Sequence, residues 1–487
     1  MSKTSGADFA KKVRAASTKQ NCFRMLHIIA MVAAVTGFVA IGYSVLAIEV
    51  LPTMYSVLAI GIALAIGVLL AIFNIRASGE KLVRSMVLYV FTGLWLAISV
   101  VGLVFARSTA DFISSLSVSS KEYQEYSVVA LESHADGIMS VEGEVLGLLD
   151  GDMNRQKVKD AIGAEVSVKY DDYSELVDAS MAISEGSLDA LIVPSAYMEL
   201  IRENRRAFYD EVKVIFTFRI ESEDAGTINI DVDKPFVVYV SGIDTHGGIE
   251  VVSRSDVNML MVFNPNEHKI LLVNTPRDYY VQLHGTSGTK DKLTHAGIYG
   301  IDMSEATLED LYGVEIGYHV KVNFDSLIKL IDVIGDIDVY SDYDFKSEGG
   351  FSFHRGMNRL GSEQALAFAR ERHAFADGDK QRGKNQQRVM EGIFNKLHSP
   401  VMVARYQSIL SALGGSFQTN ASKDDINMIV KQQIGSMGQW KMESMSVTGT
   451  GASLPTYSMG SQLLYVMIPD EGSVKSAENK IRQYLSE

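Results

Sequence analysis

The chain has 487 residues, 45 Lys/Arg against 59 Asp/Glu, a net charge of −14 and one cysteine, Cys22. Residues 1–107 hold ten Lys/Arg and three Asp/Glu, a net of +7, which leaves −21 for the remaining 380 residues. A bulk negative surface excludes a body that wraps nucleic acid, which needs a broad basic footprint. A single cysteine excludes an intrachain disulfide framework, so the acidic part must be held by an ordinary core.

Three hydrophobic runs without a charged side chain open the chain, at 25–48, 53–73 and 86–105. Twenty helical residues at 1.5 Å each reach ~30 Å, the hydrocarbon thickness of a bilayer. Three such runs in succession predict membrane-spanning helices rather than buried soluble ones. The first is also too long, and too soon followed by the second, for a cleavable signal peptide. Lys3, Lys11, Lys12, Arg14, Lys19 and Arg24 precede the first run, and Arg76, Lys81 and Arg84 lie between the second and third. Basic flanks stay in the cytoplasm. Residues 1–24 are therefore expected as a cytoplasmic tail, 25–107 as the membrane region, and everything after Arg107 outside. Anionic lipid headgroups account for the short basic tail without DNA.

From about 108 to 225 the chain reads as a small α/β unit. Segments 166–170 and 190–194 look like short strands, 197–209 is helical in spacing, and 212–220 alternates as a strand does. Asp150-Gly151-Asp152 marks a turn. No metal cluster, no nucleophile with its base and no phosphate loop is legible there, so the unit reads as a docking or spacer domain. A polar, acidic stretch at 221–233 separates it from a second domain, 226–487.

The second domain carries more chemistry. A buried-strand run at 235–241 ends in Gly242-Ile243-Asp244. Arg254-Ser255-Asp256 introduces a strand at 257–263. After a turn at Asn264-Pro265-Asn266, a strand at 269–274 ends in Thr275-Pro276-Arg277-Asp278. Strand ends thus deliver acids beside arginines. A further group, Arg370, Arg372, His373, Asp379, Arg382, Gln386 and Gln387, follows a helical segment at 362–371, and an extended bend there would aim Arg370 and Arg372 the same way. Arginine presents a rigid fork that matches phosphate oxygens in pairs, and a hard cation such as Mg²⁺ takes carboxylate, water and phosphate oxygens. The pattern suits a di-anionic ligand with a divalent cation. Spacing alone leaves a surface salt-bridge network as the plainer alternative.

The ordered series GID (242–244), RSD (254–256), NTPRD (274–278), DKLTHAGIYG (291–300), ALAFARERH (365–373) and DKQRGKNQQ (379–387) resembles the LytR-CpsA-Psr family, most strongly over 232–400. Three spans followed by an accessory domain resemble its capsule branch. The resemblance implies an α/β fold: an α-β-α sandwich with a central mixed sheet and an apolar tunnel for a lipid tail. It also implies a Mg²⁺-dependent transferase that moves a capsular polysaccharide or related glycopolymer from a polyprenyl-pyrophosphate carrier to peptidoglycan, releasing polyprenyl phosphate. Carried over, Arg254, Arg277, Lys292, Arg370, Arg372, Arg382 and Gln386 would bind pyrophosphate, and Asp244, Asp256 and Asp379 would hold the metal. Asp244, Asp256, Arg277 and Asp278 would take part in catalysis, Asp278 chiefly by orienting Arg277. Phe324, Leu327, Ile328, Ile331 and Ile334, from an apolar stretch at 323–337, would wall the tunnel unless they are plain core. Membrane lipid, the polyprenyl-linked polysaccharide and peptidoglycan are the implied partners.

Three departures from the family pattern stand out. His246 takes the place of an arginine, Val257 follows Arg-Ser-Asp where threonine is usual, and Asn385 replaces a second arginine, with Lys384 as a candidate substitute. Loss of rim charge is expected to weaken ligand grip. Elsewhere His295 reads as a buried supporting residue, 401–413 and 424–437 as helices, 449–455 as a turn, 457–467 as containing a strand and 473–485 as a helix. Two rival functions remain open at this level: a non-catalytic protein that binds or senses the lipid-linked glycan, and a membrane-bound regulator of capsule genes. The second lacks a helix-turn-helix in 1–24 or 74–85.

Overall fold

The computed structural model describes residues 5–47, 53–77, 82–117, 122–152, 154–222, 230–243, 248–397, 413, 415–422, 424–426, 428–429, 431 and 440–486. The chain divides into two units, one of 1–114 with 426–437 and one of 115–425 with 438–487.

The first unit contains helices α1 (Ser5–Ala47), α2 (Thr53–Ala77) and α3 (Leu82–Ser117). Each is long and apolar enough to cross a membrane, over Arg24–Leu46, Thr53–Ala77 and Val83–Ser108. Helix α1 starts at Ser5, so the basic N-terminal segment continues into the first span without a break. Met25, Val39, Leu58, Val90 and Val101 are exposed on the outer faces, as suits a lipid surround. Between the helices small residues permit close approach and polar groups join them. A Cβ on Gly37 would collide with the Trp95 indole. Trp95 Nε1 donates to the Ala34 carbonyl at 3.1 Å and Ser99 Oγ to that of Gly37 at 3.1 Å. The buried His27 lies 3.2 Å from both Asn74 Oδ1 and Ser85 Oγ.

The second unit starts with strands β1 (Tyr123–Leu131), β2 (Val145–Leu149), β3 (Lys169–Tyr173), β4 (Ala190–Pro194) and β5 (Val212–Glu221), joined by helices α4 (Arg155–Glu165), α5 (Leu176–Ser184), α6 (Ala196–Asn204) and α7 (Arg206–Glu211). The sheet order is β3-β2-β4-β1-β5, with β2, β3 and β4 parallel and β1 antiparallel to both neighbours. There follow β6 (Phe236–Ile243), β7 (Ser255–Asn264), β8 (Lys269–Thr275), a ribbon of β9 (Tyr280–Val281) and β10 (Asp291–Lys292), α8 (Leu293–Ala296), α9 (Ile301–Tyr312) and β11 (Tyr318–Val322). Next come α10 (Phe324–Ile334), β12 (Ile337–Ser341), β13 (Phe345–Lys346), β14 (Ser352–Phe353), β15 (Gly356–Leu360), α11 (Ser362–Arg370) and α12 (Gly378–Leu397). The chain closes with β16 (Gln418–Thr419), β17 (Lys441–Ser446), the hairpin β18 (Gly449–Thr456) and β19 (Gly460–Pro469), and α13 (Glu471–Ser486).

The larger sheet runs β16-β11-β6-β7-β8-β17. Pairs β6–β7, β7–β8 and β11–β16 are antiparallel, β6–β11 and β8–β17 parallel. Successive side chains on a strand face opposite ways. Val237, Tyr239, Leu260, Val262, Leu271 and Val273 pack on Leu308 and Tyr312 of α9 and Ala477, Ile481 and Tyr484 of α13. Val240, Val257, Met259 and Val322 alternate to the opposite face, beneath α10, α11 and α12. The result is the expected α-β-α sandwich with a mixed sheet. The five-stranded sheet shares a core with the β18–β19 hairpin and the turn after α8: Ile298, Met459 and Leu464 join Val129, Leu176, Leu191, Val193 and Leu200 in one cluster. Tyr123 N–H also donates to the Glu250 carbonyl at 2.8 Å.

Several local expectations shift. The segment at 449–455 is strand β18, paired with β19 along its length. Its glycines mark close approach to the partner strand rather than a turn, because a Cβ on Gly451 would lie 2.9 Å from the Tyr465 ring. Strand β3 starts at Lys169 because Val166 still caps α4. The helical stretch 197–209 breaks at Arg205, whose ψ of 51° is not helical. Residues 401–412 of the helix expected at 401–413 fall outside the described residues, as does most of 424–437.

Candidate active site

Strand β8 ends at Thr275, and the turn that follows closes with Tyr279 N–H donating to the Pro276 carbonyl at 3.1 Å. Pro276 fixes its own φ, and Arg277 projects from the turn between three acids. Its Nη1 lies 2.7 Å from Asp256 Oδ2, and its Nε lies 3.9 Å from Asp278 Oδ2 and 4.0 Å from Asp379 Oδ1. That Nε is buried without a hydrogen-bond partner. Asp256, at the start of β7, receives a further hydrogen bond from Thr294 Oγ1 at 3.0 Å. Asp278 pairs with Lys292 Nζ at 3.0 Å, and Asp379 pairs with Arg382 Nη2 at 2.6 Å one turn along α12.

Helix α11 delivers the opposite wall. It ends at Arg370, and its cap Glu371 is extended, with φ −66° and ψ 128°. Glu371 is buried and accepts hydrogen bonds from the N–H groups of Ala374 at 2.9 Å and Glu348 at 2.8 Å. Pinned this way, it leaves Arg370 and Arg372 to flank it, and both line the same cavity. The Arg370 guanidinium lies 4.2 Å from the centroid of the Phe324 ring. Arg372 Nε donates to His373 Nε2 at 3.2 Å.

Charges in this site hold one another. Burial disfavours the charged form of Arg277, but Asp256, Asp278 and Asp379 outweigh it and raise its pKa above the ordinary arginine value. Burial pushes Asp256 upward, yet Arg277, Arg254 and Arg382 hold its carboxyl below the usual range. Arg382 is depressed by burial and by Arg277 beside it. Arg254 is pulled up against burial, chiefly by Glu203 and Asp256.

Several of these groups line a cavity of about 670 Å³. Its polar lining includes Arg254, Asp256, Arg277, Arg370, Arg372, Arg382 and Gln386, with Arg202 and several glutamates beside them. Val240, Val257, Met259, Val322, Phe324, Leu327, Phe351, Leu366, Val389, Met390 and Ile393 form its apolar part. A second hollow, lined by Arg277, Asp278, Lys292, Arg372, His373, Asp379 and Tyr465, adjoins it at the shared arginines.

The structure therefore gathers Arg254, Asp256, Arg277, Asp278, Lys292, Arg370, Arg372, Asp379, Arg382 and Gln386. Asp244 and His246 lie outside the described residues. The apolar wall needs correction. Phe324 and Leu327 line the cavity, but Ile331 and Ile334 are buried among Leu330, Ile337, Val339, Phe368 and Ile393. Ile328 is absent from the lining. Helix α10, opened by an Asn323–Ser326 capping box, turns its first turn to the cavity and its later isoleucines to the core. The missing wall comes from β6, β7, α11 and α12. Asn385 is also not on the rim: it is buried, donates to the Phe368 carbonyl at 3.1 Å and accepts from Gln381 Nε2 at 3.1 Å. It ties α12 to α11. Lys384 is exposed and lines neither hollow, so it restores no rim charge. Val257 faces the cavity. His295 is a supporting residue: it is buried, with Nδ1 2.6 Å from Asp291 Oδ1 and 2.8 Å from Ser458 Oγ.

Sequence reasoning missed Thr294, Tyr465 and, from the accessory helix α6, Glu199, Arg202 and Glu203, all three of which line the larger cavity. Thr294 sits inside the quoted DKLTHAG motif. The others carry no local signal, since only tertiary packing brings β19 and helix α6 to these hollows.

Several known proteins are similar to this chain. The polyisoprenyl-teichoic acid–peptidoglycan teichoic acid transferase TagU of Enterococcus faecalis is 33% identical over 233 residues, 47% of this chain and 76% of that protein. TagU of Bacillus subtilis is 31% identical over 224 residues, 46% of this chain and 72% of that one. The crystal structure of B. subtilis TagV matches with 26% identity and a TM-score of 0.44, covering 52% of this chain and 98% of that one. The model of the LytR_cpsA_psr family matches residues 206–482, more than half of the chain and all of the described arginine–aspartate site, and the chain belongs to that family.

Proposed function

We propose that this protein transfers a glycopolymer from a polyprenyl-pyrophosphate carrier to peptidoglycan and releases polyprenyl phosphate. One observation carries the reading: Arg254, Arg277, Arg370, Arg372 and Arg382, with the buried Nε of Arg277 unsatisfied, line one cavity together with a broad apolar wall from Val240, Met259, Phe324, Leu327, Leu366 and Ile393. A lipid pyrophosphate has the same division of character. Its headgroup matches guanidinium forks, and its tail gains ~25 cal/mol per Å² of apolar surface enclosed. The named activity of the TagU relatives is of this class.

In the reaction a sugar hydroxyl of the wall, such as the 6-hydroxyl of N-acetylmuramic acid, attacks the glycan-side phosphorus. A phosphodiester forms, the bond to the bridging oxygen breaks, that oxygen leaves on polyprenyl phosphate, and the hydroxyl proton passes to solvent or to the departing phosphate. Negative charge grows on the leaving phosphate, where pre-aimed arginines stabilise it most. Arg277 is already held by Asp256, so little reorganisation accompanies charge development. Asp256 is kept ionised by its arginines and suits holding charge better than accepting a proton near neutral pH. Asp278, fixed between Lys292 and Arg277, positions the latter.

A Mg²⁺ ion belongs to the same proposal. Asp256 and Asp379 flank one guanidinium and offer hard oxygens, and Mg²⁺ commonly takes one or two carboxylates together with substrate phosphates and water. These residues fit it, with Asp244 as the third candidate ligand. When bound, the ion would supply further positive charge against the phosphates.

The proposed topology places the N-terminus in the cytoplasm and residues 108–487 outside, beside both the lipid-linked donor and the wall. The test of function is purified full-length protein in lipid nanodiscs with lipid-linked polymer, Mg²⁺ and peptidoglycan. Covalent attachment of polymer with release of polyprenyl phosphate is expected. Tight donor binding with no covalent product would replace the transferase reading by a binding or sensing role.

A further inference from the structure

Helix α6 of the accessory sheet reaches the site through its last turn. Glu203 there forms a two-pronged pair with Arg254, Oε2 to Nη1 at 2.8 Å and Oε1 to Nη2 at 3.2 Å, and Glu199 Oε1 lies 3.8 Å from Nη2. The pair uses both terminal nitrogens of Arg254, the edge that would meet a phosphate. Glu203 lies in the last turn of α6, where the negative end of a helix disfavours a carboxylate, so its placement there relies on the arginine. Burial raises the Glu203 pKa, but Arg254 outweighs burial and holds it below the ordinary value. The Arg254 side chain is 11% exposed and that of Glu203 45%, so the acid can swing into water while the arginine stays. The family match starts at Arg206, and Glu203 lies before it.

We propose that Glu203 is a specificity-determining residue of the donor site: a built-in carboxylate that occupies Arg254 and yields it to the phosphate of the donor. The accessory domain thereby sets how strong a phosphate ligand must be to enter. The inference rests on the proposed donor site. A carboxylate that competes for Arg254 must be displaced by any phosphate that uses it, so removing its charge strengthens phosphate binding. A carboxylate that merely positions Arg254 would have the opposite effect, because the freed guanidinium would lose its aim.

The experiment uses full-length protein in nanodiscs and geranylgeranyl pyrophosphate as the probe, with binding measured by calorimetry for wild type, Glu203→Gln, Glu203→Ala and Arg277→Ala. Glu203→Gln is expected to tighten binding about tenfold, the scale of one partly exposed charge-assisted pair, and to lower KM for the lipid-linked donor more than it changes kcat. Glu203→Ala checks that the gain does not depend on a new glutamine contact. Unchanged or weaker binding in both Glu203 variants, with wild-type binding still lost in Arg277→Ala, overturns this proposal alone and makes Glu203 a positioning residue. Absence of any Arg277-dependent binding in wild type overturns the donor site and this inference with it.

Discussion

Replacing Arg277 perturbs the site at its centre, because three carboxylates depend on that guanidinium. Arg277→Ala removes a donor aimed at the ligand and leaves Asp256 with Thr294 as its remaining close partner. Loss of one partner from a buried pair costs about 3–5 kcal/mol of stability. Protonation of Asp256, whose depressed pKa then has less reason to stay low, would recover part of it. The catalytic loss has a different origin: one charge-assisted contact to the developing phosphate anion, worth roughly 2–4 kcal/mol, or about 30- to 1000-fold in rate. A fall in Tm therefore says nothing by itself against catalysis, and the two effects must be separated. Asp256→Asn combined with Arg277→Ala removes the stranded charge and should regain much of the lost Tm without regaining transfer. Arg277→Lys keeps a charge near Asp256 but loses the planar fork, so Tm should fall little while transfer stays impaired at least tenfold. The assay is initial transfer rate per folded molecule, with Tm on the same preparations. Unaltered transfer by Arg277→Ala would dismantle the arginine clamp whatever happened to Tm.

Asp256→Asn and Asp379→Asn should each raise the Mg²⁺ concentration needed for half-maximal transfer about tenfold or more; an unchanged Mg²⁺ curve removes that residue as a ligand. Met390→Trp, on the apolar wall, should cost about 1–3 kcal/mol of stability by overpacking and depress transfer from a long-chain donor far more than from a short-chain one. Equal loss for both would show that the tail lies elsewhere. In a protein lacking Cys22, Met139→Cys and Met357→Cys, both at exposed positions, should react with a membrane-impermeant thiol reagent in intact cells. Reaction only after lysis would reverse the topology. Asp256 and Glu203 have folded pKa values below their unfolded ones, so their stabilising effect is present above about pH 4 and is lost as pH falls through the folded values. Tm measured against pH should show this acid limb, shallower in Asp256→Asn; an identical limb would mean other groups set it.

The three spans, the strand ends bearing Asp256 and Arg277, and the bend that aims Arg370 with Arg372 were legible because each is a local pattern. Period-2 alternation and an abrupt Pro276 both act within a few residues. Hairpin β18–β19 was not, since glycine reads as a turn unless the partner strand is known, and here Tyr465 occupies the space a side chain would need. The cavity wall was half legible. An apolar helix such as α10 shows its stripe in sequence but not which part of the stripe meets the core. Asn385 was misjudged for a related reason: the family pattern marks its position, yet the direction of its side chain depends on how α12 crosses α11. Glu203 had no sequence signal at all, being brought to Arg254 by the tertiary placement of helix α6.

The interleaving of acids with arginines has a physical necessity behind it. Arginines gathered around one cavity would repel one another and scatter their side chains, and burial would add a desolvation cost to each. Arg382, whose charge is disfavoured by burial and by Arg277, shows that tension in the site. Asp256, Asp278, Asp379 and Glu203 relieve it, and in doing so fix Arg254, Arg277 and Arg382 in the directions a ligand would use. The same carboxylates oppose an incoming phosphate. Their balance suits a ligand that brings several oxygens at once, since it can meet many of the arginines while displacing few of the acids. Glu203 is the acid best placed to leave, being the most exposed of the four. Asp256 is the one best placed to stay, closed in by Arg277 and Thr294. An arginine site built this way stays charged and aimed before the donor arrives, which is the condition under which electrostatic stabilisation of a departing phosphate is most effective.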